Sequence, residues 1–256
     1  MAGTGGNAAI DYIVRLVDIR KTYFSGDLQV PVLKGIDATV RRGEFVGFIG
    51  TSGSGKSTLL NILGMLDVPT GGEYFLEELE VGGFTDVEQA TIRNRKIGFI
   101  FQSFNLFPHL SVEENIEVPM VYGRVPKKIR RKRALDLAER VGLGHRLGHR
   151  PTQLSGGECQ RIAIARALSN NPAFILADEP TGNLDEKTSD EIMKLFHELN
   201  QQQGVTIVMV THNPALGPHY DKIIRLRDGR IDDTPFNWEA REQERLAKAE
   251  RKEAAK

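Results

Sequence analysis

Three short, nearly unbroken apolar runs punctuate the chain, at residues 45–49, 173–177 and 205–210. Runs of five or six residues without polar interruption are the pattern of strands buried on both faces, as in a parallel sheet. Residues 10–17 and 35–40 have strand-like composition with partial alternation and flank a turn-rich stretch at 23–27, which predicts a small antiparallel sheet. A further β-rich piece lies around 74–83. From 111 to 167 the period lengthens to that of helices; over 133–141, for example, Leu137 and Val141 share one face. Residues 57–64 read as a helix after the first apolar run, and 189–203 as a crossover helix between the second and third. The sum is a doubly wound α/β core carrying a β-rich lobe and a helical insertion, with no internal repeat.

Composition changes this picture little. In 256 residues, Lys+Arg and Asp+Glu both number 34, so no net charge draws the chain to nucleic acid or to an anionic membrane surface. The single cysteine, Cys159, excludes an intrachain disulfide and a Cys-rich metal cluster, which suits a reducing compartment. No apolar run approaches the roughly 18–20 residues of a membrane span, and the N-terminus lacks a signal-peptide pattern, so a soluble cytoplasmic protein is expected. Residues 1–9 are Gly/Ala-rich and expected to be disordered. Residues 239–256 are almost entirely Glu, Lys, Arg, Gln and Ala, with Glu244 and Lys248 spaced for one helix turn, and read as a solvated tail.

The chemistry begins where the first apolar run ends. Gly50-Thr-Ser52-Gly53-Ser54-Gly55-Lys56-Ser57-Thr58 fits G-x-x-x-x-G-K-[ST] at every position. Glycines let backbone N–H groups curl around the α- and β-phosphates, a lysine reaches the β/γ-phosphates, and a hydroxyl can ligate Mg²⁺. The helix that follows points its N-terminus at the same place. A bound nucleoside triphosphate is the expectation. Far downstream, Leu154-Ser155-Gly156-Gly157-Glu-Cys-Gln-Arg161 opens a second helix with a serine and paired glycines, a second anion-binding end.

These two motifs together resemble the ATP-binding cassette (ABC) ATPases, over about residues 10–231. The resemblance implies a P-loop cassette: a RecA-like doubly wound core, an antiparallel β lobe and an α-helical subdomain at about 103–167, within a domain spanning 10–234 and followed by a charged tail at 235–256. It also implies that two cassettes pair head to tail as a homodimer, Ser155, Gly156 and Gly157 of each closing on the γ-phosphate held by the other. The remaining motifs follow in order. Phe174-Ile-Leu-Ala-Asp178-Glu179 resembles a Walker B strand, with Asp178 supporting Mg²⁺ and Glu179 polarising the attacking water. Residues 181–185 resemble the D-loop, His212 the γ-phosphate switch, Gln102 the Q-loop contact to Mg²⁺ and water, and Tyr23 the aromatic that stacks on adenine. By the same resemblance Lys56 holds phosphate charge, Ser57 ligates Mg²⁺, and ATP and Mg²⁺ are the cofactors.

Residues 59–67 with 69–71, 140–146 with 149–151, and the wording of 177–185 resemble the lipoprotein-release and macrolide-export group (LolD- and MacB-like). That implies an integral-membrane permease with a large periplasmic domain, accessory proteins on the far side, and a cassette seated on the cytoplasmic face of the inner membrane. Nothing membrane-spanning follows residue 231, which implies a separate permease. The apolar stretch 104–110 beside Gln102 either receives a cytoplasmic helix of that permease or packs inside the helical lobe. The basic run 127–133 reads as a solvated helix face. Cys159 stands where a polar residue is usual, and either packs inertly or makes dimer closure sensitive to thiol reagents. A soluble cassette acting on DNA or ribosomes would need a coiled-coil insertion, zinc-ligand pairs or a second cassette, none of which is present. A regulatory, division-linked cassette shares all the ATP chemistry and stays open as an alternative.

Overall fold

The computed structural model describes residues 11–234. The expected disordered start at 1–9 and the charged tail at 235–256 lie outside the described residues.

Strands β1 (Tyr12–Ser25) and β2 (Leu28–Arg41) form a long antiparallel hairpin, to which β4 (Gly71–Leu76) adds beside β1 and β5 (Leu79–Glu80) beyond it. The hairpin runs through much of what the sequence suggests is loop. Its register shifts at Leu16/Ile19 and Lys21/Thr22 break the two-residue period by which strands are recognised. Asp18 sits in the first bulge at φ 48°, its N–H donating to Asp37 Oδ1 at 2.9 Å.

The second sheet is built from β3 (Phe45–Gly50), β6 (Ile97–Phe101), β7 (Phe174–Asp178), β8 (Ile207–Thr211), β9 (Lys222–Arg227) and β10 (Arg230–Ile231). Their spatial order is β10-β9-β3-β8-β7-β6, parallel throughout except for the short edge strand β10. The three apolar runs are its central strands, buried on both faces as their composition requires.

Each face has its own core. On one, Phe48, Leu176 and Val208 pack with the antiparallel lobe and helix α1 (Lys56–Leu63). On the other, Phe45, Ile175 and Met209 meet α3 (Val112–Tyr122), α4 (Lys127–Arg140), α5 (Gly156–Leu168) and α6 (Glu186–Gln203). Leu137 and Val141 are both buried there. Helix α2 (Asp86–Lys96) has no counterpart in the apolar pattern, because Gln89 is its only buried residue; it is fixed by a Thr85–Glu88 capping box instead.

Strand register decides where function can sit. Ile49 pairs with Thr211, Val210 with Asp178, and Asp178 with Phe101, so β3, β8, β7 and β6 end level with one another. The loop after β3, Gln102, Glu179 and His212 therefore crowd one edge, at the carboxyl ends of the strands where open α/β sheets place ligands. The turn joining β9 to β10 closes against this edge. Gly229, at φ 77°, donates its N–H to Ser54 O at 3.1 Å and accepts from Lys34 N–H at 2.8 Å. Only a glycine fits there, since a Cβ would run into the Val32 carbonyl.

Candidate active site

The loop between β3 and α1 is a cradle without an occupant group of its own except Lys56. Gly55 caps α1 at φ 102° with no side-chain acceptor, and no acidic residue lies in the first turn. The helix N–H groups and the positive end of its dipole are therefore left for an anion. Lys56 is buried, and its Nζ donates to Gly50 O at 2.8 Å and Thr51 O at 2.7 Å. Burial lowers its pKa, and the Glu179 and Asp178 carboxylates oppose that shift. Ser52, Gly53 and Ser57 are exposed on the rim, with Gly53 at φ 78°, and Thr58 is half-buried behind them. Ser54 Oγ is shielded from solvent and has no hydrogen-bond partner among the described residues. A Cβ on Gly50 would stand 2.5 Å from it.

Opposite the cradle, β7 delivers two consecutive carboxylates. Asp178 is half-buried, and its pKa is raised by burial and by the charge of Glu179, against the pull of Lys56. Glu179 turns out of the strand at φ 43°, pinned by its N–H to Val210 O and by Gly182 N–H to its own carbonyl, both at 2.9 Å. Its Oε1 lies 2.7 Å from His212 Nδ1, at the end of β8. An ionised carboxylate can only accept, so Nδ1 carries the proton of that bond.

Two other expected site residues are held by partners that motif reading did not supply. Gln102 Nε2 donates to Asn183 Oδ1, and Asn183 Nδ2 donates back to Gln102 O, both at 3.1 Å. The amide assigned to Mg²⁺ is thus docked on the 181–185 segment. Tyr23 donates its hydroxyl to Asp67 Oδ2 at 2.9 Å while Lys21 Nζ, itself 2.5 Å from Asp67 Oδ1, lies 5.0 Å from the ring centroid. The ring is fixed and 40% exposed, a flat face available for stacking. Asn183 and Asp67 lie in the stretches 181–185 and 59–67 that carry the resemblance, but the role of each shows only in its contact.

Ser155, Gly156 and Gly157 are not brought to the cradle by hydrogen bonds of their own chain. They open α5, where Ser155 forms a capping box with Glu158. The box was legible as S-x-x-E, although the motif reading gave Glu158 no role. Gly157 also has a packing reason, since a Cβ there would meet Thr188 Cγ2 at 2.5 Å. Cys159 is buried with Sγ 3.6 Å from Pro151 O, and burial together with Glu158 raises its pKa. A thiol so placed favours inert packing over reactivity.

The sequence model of the ABC transporter family matches residues 33–182. The chain belongs to that family. It is an ABC-type ATP-binding subunit, an ATPase. An uncharacterized ABC transporter ATP-binding protein of Thermotoga maritima is 56% identical over 220 residues, 86% of this chain and 94% of that protein. A macrolide export ATP-binding/permease protein, MacB, of Syntrophobacter fumaroxidans is 52% identical over 222 residues, 86% of this chain. The chain spans about a third of that relative's length, 31%. Among solved structures, the dimeric cassette MJ0796 in a post-hydrolysis state with ADP and Pi superposes with a TM-score of 0.77 at 45% identity, covering 86% of this chain and 96% of that one. The ABC cassette architecture read from the motifs is therefore that of the structure. Among the described residues, no helix is long and apolar enough to cross a membrane.

Proposed function

We propose that this ATPase works as a head-to-tail homodimer that powers a separate membrane permease from its cytoplasmic face. The observation that carries the reading is the Glu179–His212 contact at the mouth of the Lys56 loop. It aims a carboxylate, held by an imidazole, at the end of the cradle where a γ-phosphate would lie.

In this reading Lys56 exchanges its two carbonyl partners for phosphate oxygens, and the N–H groups of Gly53 and of Gly55 to Thr58 take the rest of the phosphate charge; the Ser54 N–H is already given to Thr51 O at 3.2 Å. Glu179 accepts a proton from the attacking water, and His212 Nδ1–H fixes its carboxylate beside the γ-phosphate. Tyr23 stacks on the base. Ser155, Gly156 and Gly157 complete the partner's site. The donor set also fits a hard divalent cation. Asp178 and Glu179 are adjacent carboxylates faced by one lysine, and the raised pKa of Asp178 marks a charge that lacks compensation. Ser57, Asp178 and a Gln102 released from Asn183 would hold Mg²⁺, which when bound neutralises phosphate charge.

An apolar groove of about 510 Å³ supports the permease contact. Its walls include Ile97, Phe99, Phe107, Val118 and Tyr122, the last 77% exposed. Of the apolar stretch 104–110, Leu106 packs on the helical core while Phe107 lines the groove, which leaves Phe107 available for the helix contact we propose. Asn115 fixes Phe107 through both its backbone N–H and its carbonyl, at 2.8 and 3.1 Å. Arg166, whose pKa burial pushes down to about 10, holds the carbonyls of Phe104 and Asn105. A short amphipathic helix fits such a preformed groove. The MacB relatives, named as macrolide export ATP-binding/permease proteins, support a permease partner; the large periplasmic domain and accessory proteins we carry over from the motif resemblance alone. The substrate class we assign is lipoproteins or large amphipathic molecules.

The test is to purify tagged Glu179→Gln protein from membranes in ATP and identify bound proteins by mass spectrometry. A permease with few spans and a large periplasmic domain is expected. Recovery of ribosomes or nucleic acid, or of no membrane protein, overturns the transport reading.

A further inference from the structure

At the start of α5, one carboxylate occupies both polar groups of Ser155, a residue the head-to-tail reading places on the partner's phosphate. Glu158 Oε2 accepts from Ser155 N–H at 2.9 Å and from Ser155 Oγ–H at 2.9 Å, while Ser155 Oγ accepts from Glu158 N–H at 3.2 Å. The N–H and O–H of Ser155 are therefore not free for a phosphate. A negative charge also stands at the helix end where a phosphate is to arrive. Hydrogen bonds from Ser155 and the nearby Arg146 and His145 hold that carboxylate below its usual range, so it stays ionised.

The second half of the observation is Arg146. Its Nε is shielded from solvent and makes no hydrogen bond among the described residues. It lies 3.6 Å from the other carboxylate oxygen, Glu158 Oε1, an ion-pair separation that is too long for a hydrogen bond. Its Nη1 is within 3.2 Å of His149 Nε2, which anchors the guanidinium from the far side. A buried guanidinium N–H without an acceptor is costly, and here its natural acceptor is a small movement away.

We propose that Glu158 is a positioning residue with two stations. At the first, seen in the structure, it holds Ser155. On closure over the partner's γ-phosphate it moves to Arg146, handing the Ser155 N–H and O–H to the phosphate. The inference rests on the head-to-tail reading. It adds to it a barrier set by Glu158 and a counterweight set by Arg146, so that closure exchanges one hydrogen-bonded state for another.

The experiment measures ATP-driven dimerisation by sedimentation in the Glu179→Gln background. Glu158→Gln keeps the capping geometry but removes the charge and weakens the hold on Ser155. It should lower the ATP concentration at half-dimerisation by roughly three- to tenfold, an advantage that shrinks as salt screens the charge. Arg146→Gln removes the second station and should raise that concentration by a similar factor. Arg146→Lys, which keeps a charge but lacks Nε, should do the same if the Gln variant folds poorly. ATP binding to the monomer, followed with a fluorescent nucleotide, should not move in any of them. Opposite shifts from the two positions support the proposal, because a purely structural cap would be harmed by both changes. Shifts in one direction, or none, overturn it. If the Glu179→Gln parent itself fails to dimerise with ATP, the head-to-tail reading falls instead.

Discussion

Asp178 and Glu179 end the same strand, yet the fold treats them differently. Asp178 is desolvated and crowded by its neighbour, whereas Glu179 is turned out at φ 43° to meet His212. A carboxylate whose pKa is raised on folding is charged at a cost above that pKa, and the cost vanishes below the unfolded value. Asp178→Asn should therefore raise the melting temperature of nucleotide-free protein at neutral pH, and the gain should fade as pH falls toward the ordinary carboxylate range; a lower melting temperature at pH 7 would contradict this. The stability given up at Asp178 in the wild type is of the kind that functional sites commonly forgo. His212→Ala should leave nucleotide binding intact and reduce turnover by roughly 10²–10⁴-fold, the range for loss of acid–base positioning, as measured by phosphate release. The phosphate loop could be read from residue type and spacing alone, whereas the roles of Asp178, Glu179, His212, Gln102 and Tyr23 came only with the resemblance. Asn183, Asp67 and Arg146 lie in stretches quoted for that resemblance, yet none had a role of its own there, because each acts through a side-chain contact that the pattern does not show.

Secondary-structure elements were legible only as far as burial imposed a period on them. The central strands announce themselves, since both faces are covered. The β1–β2 hairpin is blurred by its bulges, and α2 is invisible because it buries no apolar stripe. Between elements, the close approach of α5 to α6 is set by Gly157 facing Thr188. Thr188 cannot easily give way, as its hydroxyl is tied to Asp185 Oδ2 at 2.6 Å. Gly157→Ala should cost about 1–3 kcal/mol in chemical denaturation. Thr188→Ser, which deletes the obstructing methyl and keeps the hydroxyl, should restore most of the loss; failure of that rescue would assign the glycine a role other than packing.

For the whole molecule, the fold separates two surfaces that the proposed function uses together: the strand-end edge with its phosphate loop, and the apolar groove between the central sheet and the helical lobe. Gln102 follows β6, whose Phe99 and Phe101 line the groove, so a single strand reaches both. Tyr122→Glu should leave the basal ATPase of the isolated cassette unchanged while abolishing co-purification with a permease. Loss of basal turnover would mean the groove is internal structure rather than a docking face. The architecture could be read from motif order, but of the groove only the apolar stretch 104–110 could, because the rest of its lining comes mainly from α2, β6, α3 and α5 and has no contiguous signature.

The turn at Gly229 has a mechanical corollary. It is fastened on one side to the antiparallel lobe through Lys34 and on the other to the phosphate loop through Ser54. Tension applied to the chain past β10 would load first the bonds of Asp232 and Thr234 to Arg225 and next this fastening. The stiffness of the nucleotide cradle is thereby coupled to whatever strains the polypeptide at the far edge of the sheet.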